Sequence, residues 1–559
     1  MLPIPLRRLS FALLLSCILL PACTEGGAKV ADVVFTGGLV WIGPGTPISG
    51  PDAATAIAVA DGQIIAVGSD REIESYLTPE TVRIDLSGRR VVPGFMDAHT
   101  HFIEGGFGLA SVALRDAATP AEFSRRIAVF AADHTGEWVL GGTWDHELWG
   151  GELPRRDWID SLTPDTPVFV TRLDGHMSLA NSAALDLAGI TAETAHPPGG
   201  TIVRYADGRP TGILKDAAQQ LMSDAIPDRT EAELDRALQA AVQHAVSRGV
   251  TMIADMGTWD GLEAYRRARA KEALPLRVYS VVPLATRERL ADYVAEHGRG
   301  DERLFWGGLK GFVDGSLGST TAWFYDPYAD EPETSGLMVT DAADLRSAIL
   351  EADRDGFNLI VHAIGDRAND WLLDVYAEAR GANGDRDRRS RIEHAQHLSR
   401  SAISRFGPDG VIASMQPYHA IDDGRWAGKR IGPERVKATY AFRDLLAAEA
   451  PVAFGSDWTV APLDPILGIY AAVTRRTIDG ANPDGWVPEQ KISVEQALTA
   501  YTSVAAHACY LEDRLGTLEP GNYADLVVLS HDIFTIDPVE IEDVMVDLTM
   551  VEGEVVYER

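Results

Sequence analysis

Strands with alternating apolar and polar positions are predicted near both ends of the chain. A hairpin is expected over residues 56–67, where two apolar runs flank Asp61-Gly62, a dipeptide typical of tight hairpin turns. Residues 525–529 form a similar apolar run, and residues 550–557 have the pattern of a terminal hairpin. Strands at opposite ends of one chain can pair with each other, so we expect one small β-sandwich.

Between these ends, short apolar strands alternate with helical stretches, the pattern of βα units around a parallel sheet. Eight such strands are predicted, which is the number that a (β/α)8 barrel requires. The expected fold class is therefore α/β, a TIM-like barrel with the small β-sandwich beside it. The predicted barrel strands cover residues 91–98, 250–255, 276–282, 308–314, 358–362, 391–394, 411–416 and 452–457.

The predicted elements divide the chain into distinct parts. Residues 1–23 have the features of an export segment, residues 24–93 and 512–559 form the expected β-sandwich, and residues 94–511 form the barrel. A long interruption at residues 103–249 separates the first two barrel strands and contains strand-like runs and a helix of its own. We expect this insertion after the first strand to act as a lid or specificity region.

The first 23 residues resemble a bacterial export signal. Arg7 and Arg8 precede an apolar run at residues 9–20, which is short for a membrane-spanning helix. Leu20-Pro21-Ala22-Cys23 then resembles a lipobox, the site at which a lipoprotein is cleaved and acylated on cysteine. We expect a protein of the bacterial cell envelope that faces the periplasm and touches the membrane only through a lipid on Cys23. Secretion without a lipid and an uncleaved anchor are the alternatives.

The composition excludes several classes of protein. Of the 559 residues, 46% are hydrophobic and 24% are charged, which rules out collagen-like, coiled-coil and disordered chains. The formal net charge of −32 repels phosphate backbones, so nucleic acid is not an expected partner. Cys17 and Cys23 fall in the export segment, which leaves Cys509 alone and excludes a disulfide scaffold.

Polar residues collect at the ends of the predicted barrel strands, where barrel enzymes build their sites. His99 and His101 end the first strand, and in an extended chain they point to the same side and can bind one ion. Lys310 lies in the apolar fourth strand, where burial favours the neutral amine; this amine can take up carbon dioxide to form a metal-bridging carbamate. Two structural histidines and a lysine that snorkels from a strand end are the alternatives.

Three later strands also end in residues that bind metals. The fifth strand ends in His362, the sixth in His394 and the eighth in Asp457. Each of these residues alone is more often structural than catalytic. Their joint order of His-x-His, Lys, His, His and Asp, all at predicted strand ends, is hard to obtain by chance and favours a metal centre.

The motifs around these residues resemble those of the amidohydrolase superfamily, specifically its amidohydrolase family 3 branch. Residues 92–101 (VPGFMDAHTH) are similar to the first-strand signature of the family, and residues 249–255 (GVTMIAD) are similar to its second-strand pattern. Residues 310–319 (KGFVDGSLGS) are characteristic of family 3, and residues 516–527 resemble its usual return into the sandwich. The resemblance covers essentially all of the chain after the predicted export segment.

This resemblance implies a ligand set of one or two divalent ions. His99, His101 and Asp457 would hold the first metal, and His362 and His394 the second, with Lys310, carboxylated in some members, between them. Imidazole and carboxylate ligands suit Zn²⁺ best, with Mn²⁺ and Fe²⁺ as alternatives. Such ions lower the pKa of bound water to about 7. Asp457 can then take the proton of the attacking water and pass it to the leaving nitrogen.

The insertion contributes a further candidate. Residues 172–176 (RLDGH) resemble a motif that family 3 places over the active site. We expect His176 to contact the substrate or the tetrahedral oxyanion, and a hydrogen-bonded structural histidine is the alternative. Trp144, Asp145 and Trp149 are expected to line the pocket, with simple packing of the aromatic side chains as the alternative.

Three residues near the predicted ligands complete the expected site. Asp314 and Ser316 are expected to order the loop beside Lys310. Arg367, which follows His362, is expected to meet a substrate carboxylate, with an exposed salt bridge as the alternative. The histidines not named so far are assigned no role.

The expected function is metal-dependent hydrolysis of a carbon–nitrogen bond other than a peptide bond, in a small N-acyl or N-formyl amide. A cyclic amide hydrolase or a deaminase on the same scaffold is the first alternative, and a catalytically inactive envelope-binding protein is the second. The intact set of metal-binding residues argues against the inactive protein. The sequence has no Gly-x-Ser-x-Gly elbow, His-Glu-x-x-His helix, P-loop or dinucleotide fingerprint that would indicate another chemistry.

Overall fold

The computed structural model describes residues 30–134 and 136–559. The predicted export segment, with Cys17 and Cys23, lies outside the described residues, and Cys509 is buried as a free thiol. The strands, in chain order, are β1 (Val33–Thr36), β2 (Leu39–Val40), β3 (Ala56–Ala60), β4 (Gln63–Gly68), β5 (Val82–Asp85), β6 (Arg90–Pro93), β7 (Phe95–Thr100), β8 (Val139–Trp144), β9 (Val168–Arg172), β10 (Met177–Ala180), β11 (Gly200–Arg204), β12 (Pro210–Asp216), β13 (Val250–Met256), β14 (Arg277–Pro283), β15 (Leu304–Phe312), β16 (Asn358–Ala363), β17 (Arg391–His394), β18 (Ile412–Met415), β19 (Val452–Phe454), β20 (Leu526–Leu529), β21 (Val546–Val551) and β22 (Glu554–Glu558).

Across residues 30–134 and 136–559, no helix has the length and apolar character needed to cross a membrane. The α-helices are α1 (Asp70–Ile73), α2 (Phe102–Leu109), α3 (Pro120–Asp133), α4 (Ser182–Leu187), α5 (Glu231–Val246), α6 (Trp259–Ala270), α7 (Arg287–His297), α8 (Ala342–Arg354), α9 (Asp366–Asn383), α10 (Arg400–Asp409), α11 (Pro417–Asp423), α12 (Ala427–Arg435, kinked at Gly432), α13 (Phe442–Ala447), α14 (Pro465–Thr474), α15 (Val494–Tyr501) and α16 (Ser503–Ala508). Short 3₁₀ helices cover Glu74–Tyr76, His146–Trp149, Arg156–Trp158, Ala217–Met222, Leu284–Thr286, Val436–Ala438, Pro488–Gln490 and Pro538–Asp543.

The central element is a parallel sheet of eight strands, β7 and β13 to β19, paired in sequential order. The sheet closes where the Asp457 N–H donates to the His99 carbonyl and the His101 N–H donates to the Trp458 carbonyl, both at 2.7 Å. Every predicted barrel strand overlaps one of these strands. The predicted α/β fold with a TIM-like barrel is therefore confirmed.

The helices outside the barrel form for local reasons that the sequence makes plain. In α8 the Asp341 side chain accepts hydrogen bonds from two first-turn backbone N–H groups, which would otherwise lack partners. Leu345, Ile349 and Ala352 follow at spacings of four and three, so they share one face of the helix. All three are buried in the core that surrounds the barrel. This arrangement fixes the helix against the sheet that carries the site.

The first predicted barrel strand, residues 91–98, is two strands in the structure. Strand β6 pairs with β20 outside the barrel, whereas β7 pairs with β13 inside it. The break falls at Gly94, where a Cβ atom would lie 2.3 Å from the Thr251 hydroxyl oxygen. Only glycine allows the backbone to pass this close, and the chain therefore changes sheets at this residue.

Both ends of the chain contribute to a pair of sheets beside the barrel. One sheet has the order β4-β3-β1-β5 and the other the order β2-β6-β20-β21-β22. The predicted hairpins over residues 56–67 and near the C-terminus are present as β3–β4 and β21–β22. Phe35, Ile57 and Met550 are buried in the apolar layer between the sheets. The β-sandwich built from both chain ends is confirmed.

The insertion between β7 and β13 contains a five-stranded sheet of its own, in the order β11-β12-β10-β9-β8. Its strand-like runs and its helix were predicted, and they correspond to β8, β9 and α5. Helix α2, which follows β7, packs directly on α5. At their closest approach, a Cβ atom on Gly106 would lie 2.0 Å from the Ala237 carbonyl oxygen. This contact places the insertion at the carboxyl ends of the barrel strands.

Replacement of Gly106 by alanine is expected to lower the thermal unfolding midpoint by a few degrees. The added methyl group would collide with rigid backbone, and overpacking of this kind costs about 1–3 kcal/mol. Differential scanning calorimetry measures the change. The matched control is Gly381→Ala in α9, where nothing lies within 4 Å of the added atom and alanine favours the helix. An unchanged midpoint for Gly106→Ala would contradict the close packing of α2 on α5.

Candidate metal centre

The predicted ligand residues meet at the carboxyl end of the barrel. His99 is in β7, Lys310 in β15, His362 in β16 and His394 at the end of β17. These four side chains are buried. Asp457 follows β19 rather than belonging to it and is also buried. The neighbouring His101 is 35% exposed at its side chain and faces the cavity above the group.

The Asp457 carboxylate lies at the centre of this cluster. One of its oxygens is 3.4 Å from His99 Nε2 and 3.3 Å from His101 Nε2. The other oxygen is 4.0 Å from His394 Nδ1. Of the described residues, His99, His394 and Asp457 each offer a ligand atom within 4.8 Å of the others, close enough to hold one metal ion.

This grouping differs from the division implied by the family resemblance, which placed His394 with His362 in a second ion site. The ring of His394 lies 5.1 Å from that of His99 and 4.5 Å from that of His362, so it stands between the two. His362 Nε2 is 3.1 Å from the Gly315 carbonyl oxygen. His394 is thus near both His99 and His362, and the division of these ligands between one or two ions stays a prediction.

A buried carboxylate orients His99. Glu393 Oε2 lies 2.5 Å from His99 Nδ1, and Glu393 also accepts hydrogen bonds from Arg391 Nε (2.8 Å) and Ser414 Oγ (2.7 Å). The proton of His99 therefore belongs on Nδ1, which leaves the lone pair of Nε2 facing Asp457. A carboxylate behind a histidine ligand is the usual way in which proteins fix the ring of a metal-binding imidazole.

A second polar contact orients His394. Its Nδ1 donates to the side-chain oxygen of Gln416 at 2.8 Å. Gln416 is itself buried at the end of β18. The hydrogen bond fixes the ring plane and leaves the opposite nitrogen, Nε2, with its lone pair available.

Burial determines the protonation of the cluster. It lowers the pKa of His99 to about 4 and holds the pKa values of His362 and His394 well below the usual range, so these imidazoles are neutral at pH 7. Burial acts to raise the pKa of Asp457, but the neighbouring histidines outweigh it, and the pKa lies well below its usual range. Neutral imidazoles beside an ionised carboxylate are the protonation states that bind metal ions.

Lys310 lies beside these groups, with Nζ 3.3 Å from His99 Nε2. Burial lowers its pKa to about 8, although the charges of Glu393 and Asp457 act in the opposite direction. A sizeable share of this amine is therefore neutral just above neutral pH, which is the form that reacts with carbon dioxide.

The insertion brings His176 to the same cavity. His176 Nδ1 is 2.7 Å from Asp216 Oδ1, and its ring lies 5.2 Å from that of His362. Burial acts to lower the pKa of His176, but the hydrogen bond and charge of Asp216 outweigh it and raise the pKa overall. The preceding Asp174 accepts from the His176 backbone N–H and from Ser316, so the loop is tied to the barrel.

Three residues expected to line the pocket lie elsewhere. Trp144 is buried in the core of the insertion, where its indole N–H donates to the Val170 carbonyl. Asp145 is paired with Arg172 and Arg425. Trp149 packs on the Phe123 ring at 5.6 Å. These predictions were wrong because the two tryptophans pack in the insertion core, the alternative given for them, and Asp145 is held in ion pairs.

The residues expected around Lys310 and His362 have separate outcomes. The Asp314 carboxylate accepts backbone hydrogen bonds from Trp323, Ile364 and Gly365, so it orders this loop as predicted. Ser316 lines the cavity. Arg367 does not face the cavity, because its guanidinium stacks on the Trp323 ring at 4.3 Å. Its expected contact with a substrate carboxylate was therefore wrong.

A cavity of about 1110 Å³ lies above the cluster, between the barrel and the insertion. His101, Lys310, His362, His394 and Asp457 all contribute to its wall, together with His176. The group of metal-binding side chains is therefore open to a small molecule.

Comparison with known protein families agrees with a metal centre at this place. Residues 83–557 match a family described as Amidohydrolase family. The chain belongs to the amidohydrolase family.

Individual relatives cover nearly the whole amidohydrolase chain. It is 41% identical over 526 residues to the protein LONG AFTER FAR-RED 3 of Arabidopsis thaliana, covering 91% of this chain and 89% of that one. It is 31% identical over 533 residues to an N-substituted formamide deformylase of Arthrobacter pascens, covering 90% and 95%. The crystal structure of an uncharacterized metal-dependent hydrolase from Pyrococcus horikoshii is similar at a TM-score of 0.72 and 28% identity, covering 90% and 99%. The expected class, an amidohydrolase acting on carbon–nitrogen bonds other than peptide bonds, is confirmed.

Sequence reasoning missed three residues of the amidohydrolase site. Glu393 and Gln416 hold the rings of His99 and His394. His419, to which no role was assigned, lines the cavity with Nε2 4.0 Å from Asp457 Oδ2. Glu393 directly precedes a predicted ligand at a strand end, a signal that was available. Gln416 and His419 lie at the end of β18 and in α11, and β18 is one of three barrel strands for which no ligand was predicted.

Replacement of Glu393 by glutamine is expected to weaken metal binding about 10- to 100-fold, since the carboxylate fixes the ring and proton of His99. Titration of the metal-free protein with Zn²⁺ against a competing chelator measures the affinity. The matched control is Glu378→Gln, an exposed residue on α9 that pairs with Arg346. Equal Zn²⁺ affinities in the two variants would show that Glu393 does not orient the metal-binding ring.

Proposed function

We propose that this amidohydrolase cleaves N-formyl or N-acyl amides with a divalent ion held at His99, His394 and Asp457. The observation that carries the proposal is the buried His-His-Asp group, which opens into a cavity large enough for a substrate. The similarity to an N-substituted formamide deformylase supports the choice of an amide carbon–nitrogen bond.

The donor set fits a metal ion. Two imidazole nitrogens and a carboxylate oxygen are common ligands of catalytic Zn²⁺, which keeps another position for water or substrate. His419 Nε2 is buried beside Asp457 and has no hydrogen-bond partner among the described residues, so the site holds an unsatisfied polar atom. When bound, such an ion lowers the pKa of water to about 7 and polarises a carbonyl group.

Three further residues complete the ligand set that we propose. His101 and His362 lie beside the His-His-Asp group and line the same cavity. Lys310, as its carbamate, supplies a carboxylate on a long stem between them. In that reaction the neutral amine nitrogen bonds to the carbon of carbon dioxide and loses one proton.

In the proposed reaction the water oxygen bonds to the carbonyl carbon, and the carbon–nitrogen bond breaks in a later step. Asp457 holds the proton that the water loses and delivers it to the departing nitrogen, so a carboxylic acid and an amine are released. Asp457 suits this role because its carboxylate stands at the centre of the cluster, within 3.4 Å of two histidine nitrogens. His176, held by Asp216, donates a hydrogen bond to the carbonyl oxygen as negative charge develops there.

Replacement of Asp457 by asparagine is expected to lower kcat for N-formyl amides by about 10²- to 10⁴-fold, the usual contribution of general acid–base catalysis. His176→Ala is expected to lower kcat by about 10²- to 10³-fold while metal content is unchanged, since it removes only a hydrogen bond to the oxyanion. Release of the amine measures activity, and elemental analysis measures the metal.

The matched controls are Asp374→Asn and His297→Ala, which replace exposed or half-exposed side chains on α9 and α7. Loss of activity on removal of the metal, with recovery on addition of Zn²⁺, is expected for the parent protein. If the enzyme hydrolyses cyclic amides, or releases ammonia from amino-substituted rings, but acts on no N-formyl or N-acyl amide, the first alternative replaces the proposal. That alternative is a cyclic amide hydrolase or a deaminase. A metal-free protein that cannot be loaded would overturn metal-dependent hydrolysis itself.

We also propose that the enzyme is exported and lipid-anchored through Cys23 in the cell envelope. The support is the sequence of residues 1–23, with its two arginines, apolar run and lipobox-like end. Radiolabelled palmitate fed to cells that express the full chain is expected to label the protein, and Cys23→Ala to abolish the label. Labelling that persists in Cys23→Ala would contradict acylation at this residue.

A further inference from the structure

The cavity is much larger than the group that reacts in it. Its volume of about 1110 Å³ exceeds the roughly 300–1,000 Å³ that is typical of sites for drug-sized ligands. A formamide group contributes only a carbon, an oxygen and a nitrogen. Most of the cavity must therefore accommodate another part of the substrate.

The part of the cavity bounded by the insertion has apolar walls, and we call it the insertion-side chamber. Phe107 and Leu109 of α2, Phe130 of α3, Leu140 of β8 and Phe169 of β9 form these walls. Leu140 and Phe169 are directly paired across the two strands. The alternate residues of the same strands, such as Val139, Val168 and Val170, point away and are buried in the insertion core.

The apolar side chains of the chamber are incompletely covered by protein. Leu109 is 49% exposed, and Phe107, Phe130, Leu140 and Phe169 are each only partly buried. Water against such walls is displaced favourably by an apolar ligand, at about 25 cal/mol per Å² of apolar surface removed from water. The chamber thus favours apolar groups.

An aromatic ring also lines the cavity beside the metal-binding group. Phe312, at the end of β15, is 36% exposed, although it lies beside buried metal-binding residues. Its ring centroid is 5.0 Å from Lys310 Nζ and 5.3 Å from the His362 ring. This ring offers an apolar surface to a substituent on the amide nitrogen.

The charges around the chamber do not select an ionic substituent. Arg229 and Arg236 contribute to the cavity wall, but so do Glu104 and Glu233. The Arg229 guanidinium already lies over the Phe107 ring, 4.3 Å from its centroid. Arg115 and Glu137 also line the cavity, so both signs of charge are present in equal number on these six side chains, and neither a carboxylate nor an ammonium group gains a clear attraction.

We propose that the insertion-side chamber binds a large, uncharged, apolar substituent of the amide nitrogen, so the preferred substrates are formamides of bulky aryl-alkyl or long alkyl amines. This inference rests on the proposed function, because it deepens the specificity of the same site. Selectivity for such substrates comes from Phe107, Leu140 and Phe169, whereas the metal-binding group acts on the amide itself.

Gly108 offers a way to fill the chamber without disturbing the fold. It lies in α2 and lines the cavity, and an added Cβ would meet only the Thr459 methyl group, at an ordinary 3.6 Å. A phenylalanine side chain at this position would take up space in the cavity beside Phe107 and Leu109. Gly381→Phe is the matched control, because Gly381 is also helical and has open space around it.

The experiment compares N-methylformamide, N-octylformamide, N-(naphthylmethyl)formamide and the formamide of 8-aminooctanoate as substrates of the metal-loaded enzyme. We expect kcat/KM to rise about fourfold for each buried methylene, the equivalent of about 0.8 kcal/mol. The naphthylmethyl and octyl compounds are expected to exceed N-methylformamide by at least 100-fold. Gly108→Phe is expected to remove at least tenfold of that preference, while Gly381→Phe leaves the preference unchanged.

Calorimetric binding of N-(naphthylmethyl)formamide to Asp457→Asn provides a readout that does not need turnover. Binding that Gly108→Phe weakens at least tenfold in this background supports the chamber even if no formamide is hydrolysed, in which case only the proposed function fails. Equal kcat/KM for the small and large substrates, or a tenfold preference for the carboxylate-bearing compound over the octyl compound, would overturn the inference. Absence of both binding and turnover would overturn it as well.

Discussion

Two backbone hydrogen bonds between the last and first barrel strands determine the geometry of the whole site. They join Asp457 to His99 and His101 to Trp458, each at 2.7 Å. The same pairing closes the barrel and brings the Asp457 carboxylate within 3.4 Å of both histidine rings. A slip of one residue would turn alternate side chains to the opposite face of the strand. Closure of the barrel and assembly of the metal-binding group therefore depend on one register.

The left-handed backbone conformations and the buried charges around the site both carry a cost in folding free energy, which the surrounding structure offsets. Asp457 and His394 have φ values of 56° and 73°, which are uncommon for residues other than glycine. Because each residue follows or ends a short buried strand, packing holds these conformations and directs the side chains inward. Below them, Glu393 keeps its charge in the interior through Arg391. An ion taken out of water costs several kcal/mol unless it is paired, so this pair allows a fixed carboxylate behind His99.

Much of the barrel and its chemistry could be predicted from the sequence. Parallel strands that are buried on both faces appear as continuous apolar runs, and residues at their carboxyl ends are brought together by the fold itself. What could not be predicted depends on side-chain direction. The place of His394 beside His99 follows from its own left-handed backbone. The position of Trp144 depends on which face of β8 meets the insertion core. The direction of the Arg367 side chain depends on Trp323, which is far from it in the sequence. Alternating apolar and polar positions distinguish the two faces of a strand, but they do not show which part of the molecule packs against each face.

The division between barrel and insertion explains why the metal-binding residues could be predicted from the sequence, whereas the residues of the cavity wall could not. The chemistry depends on His99, His394 and Asp457, which the closed sheet holds at fixed separations and which therefore follow from strand order. The cavity wall depends on how α2 rests against α5, a contact set by Gly106 rather than by any periodic pattern. Small changes in that contact alter the volume available to a substituent while leaving the metal-binding group in place. Under the function proposed here, one amide chemistry could serve different amines, because the insertion can vary the chamber independently of the barrel.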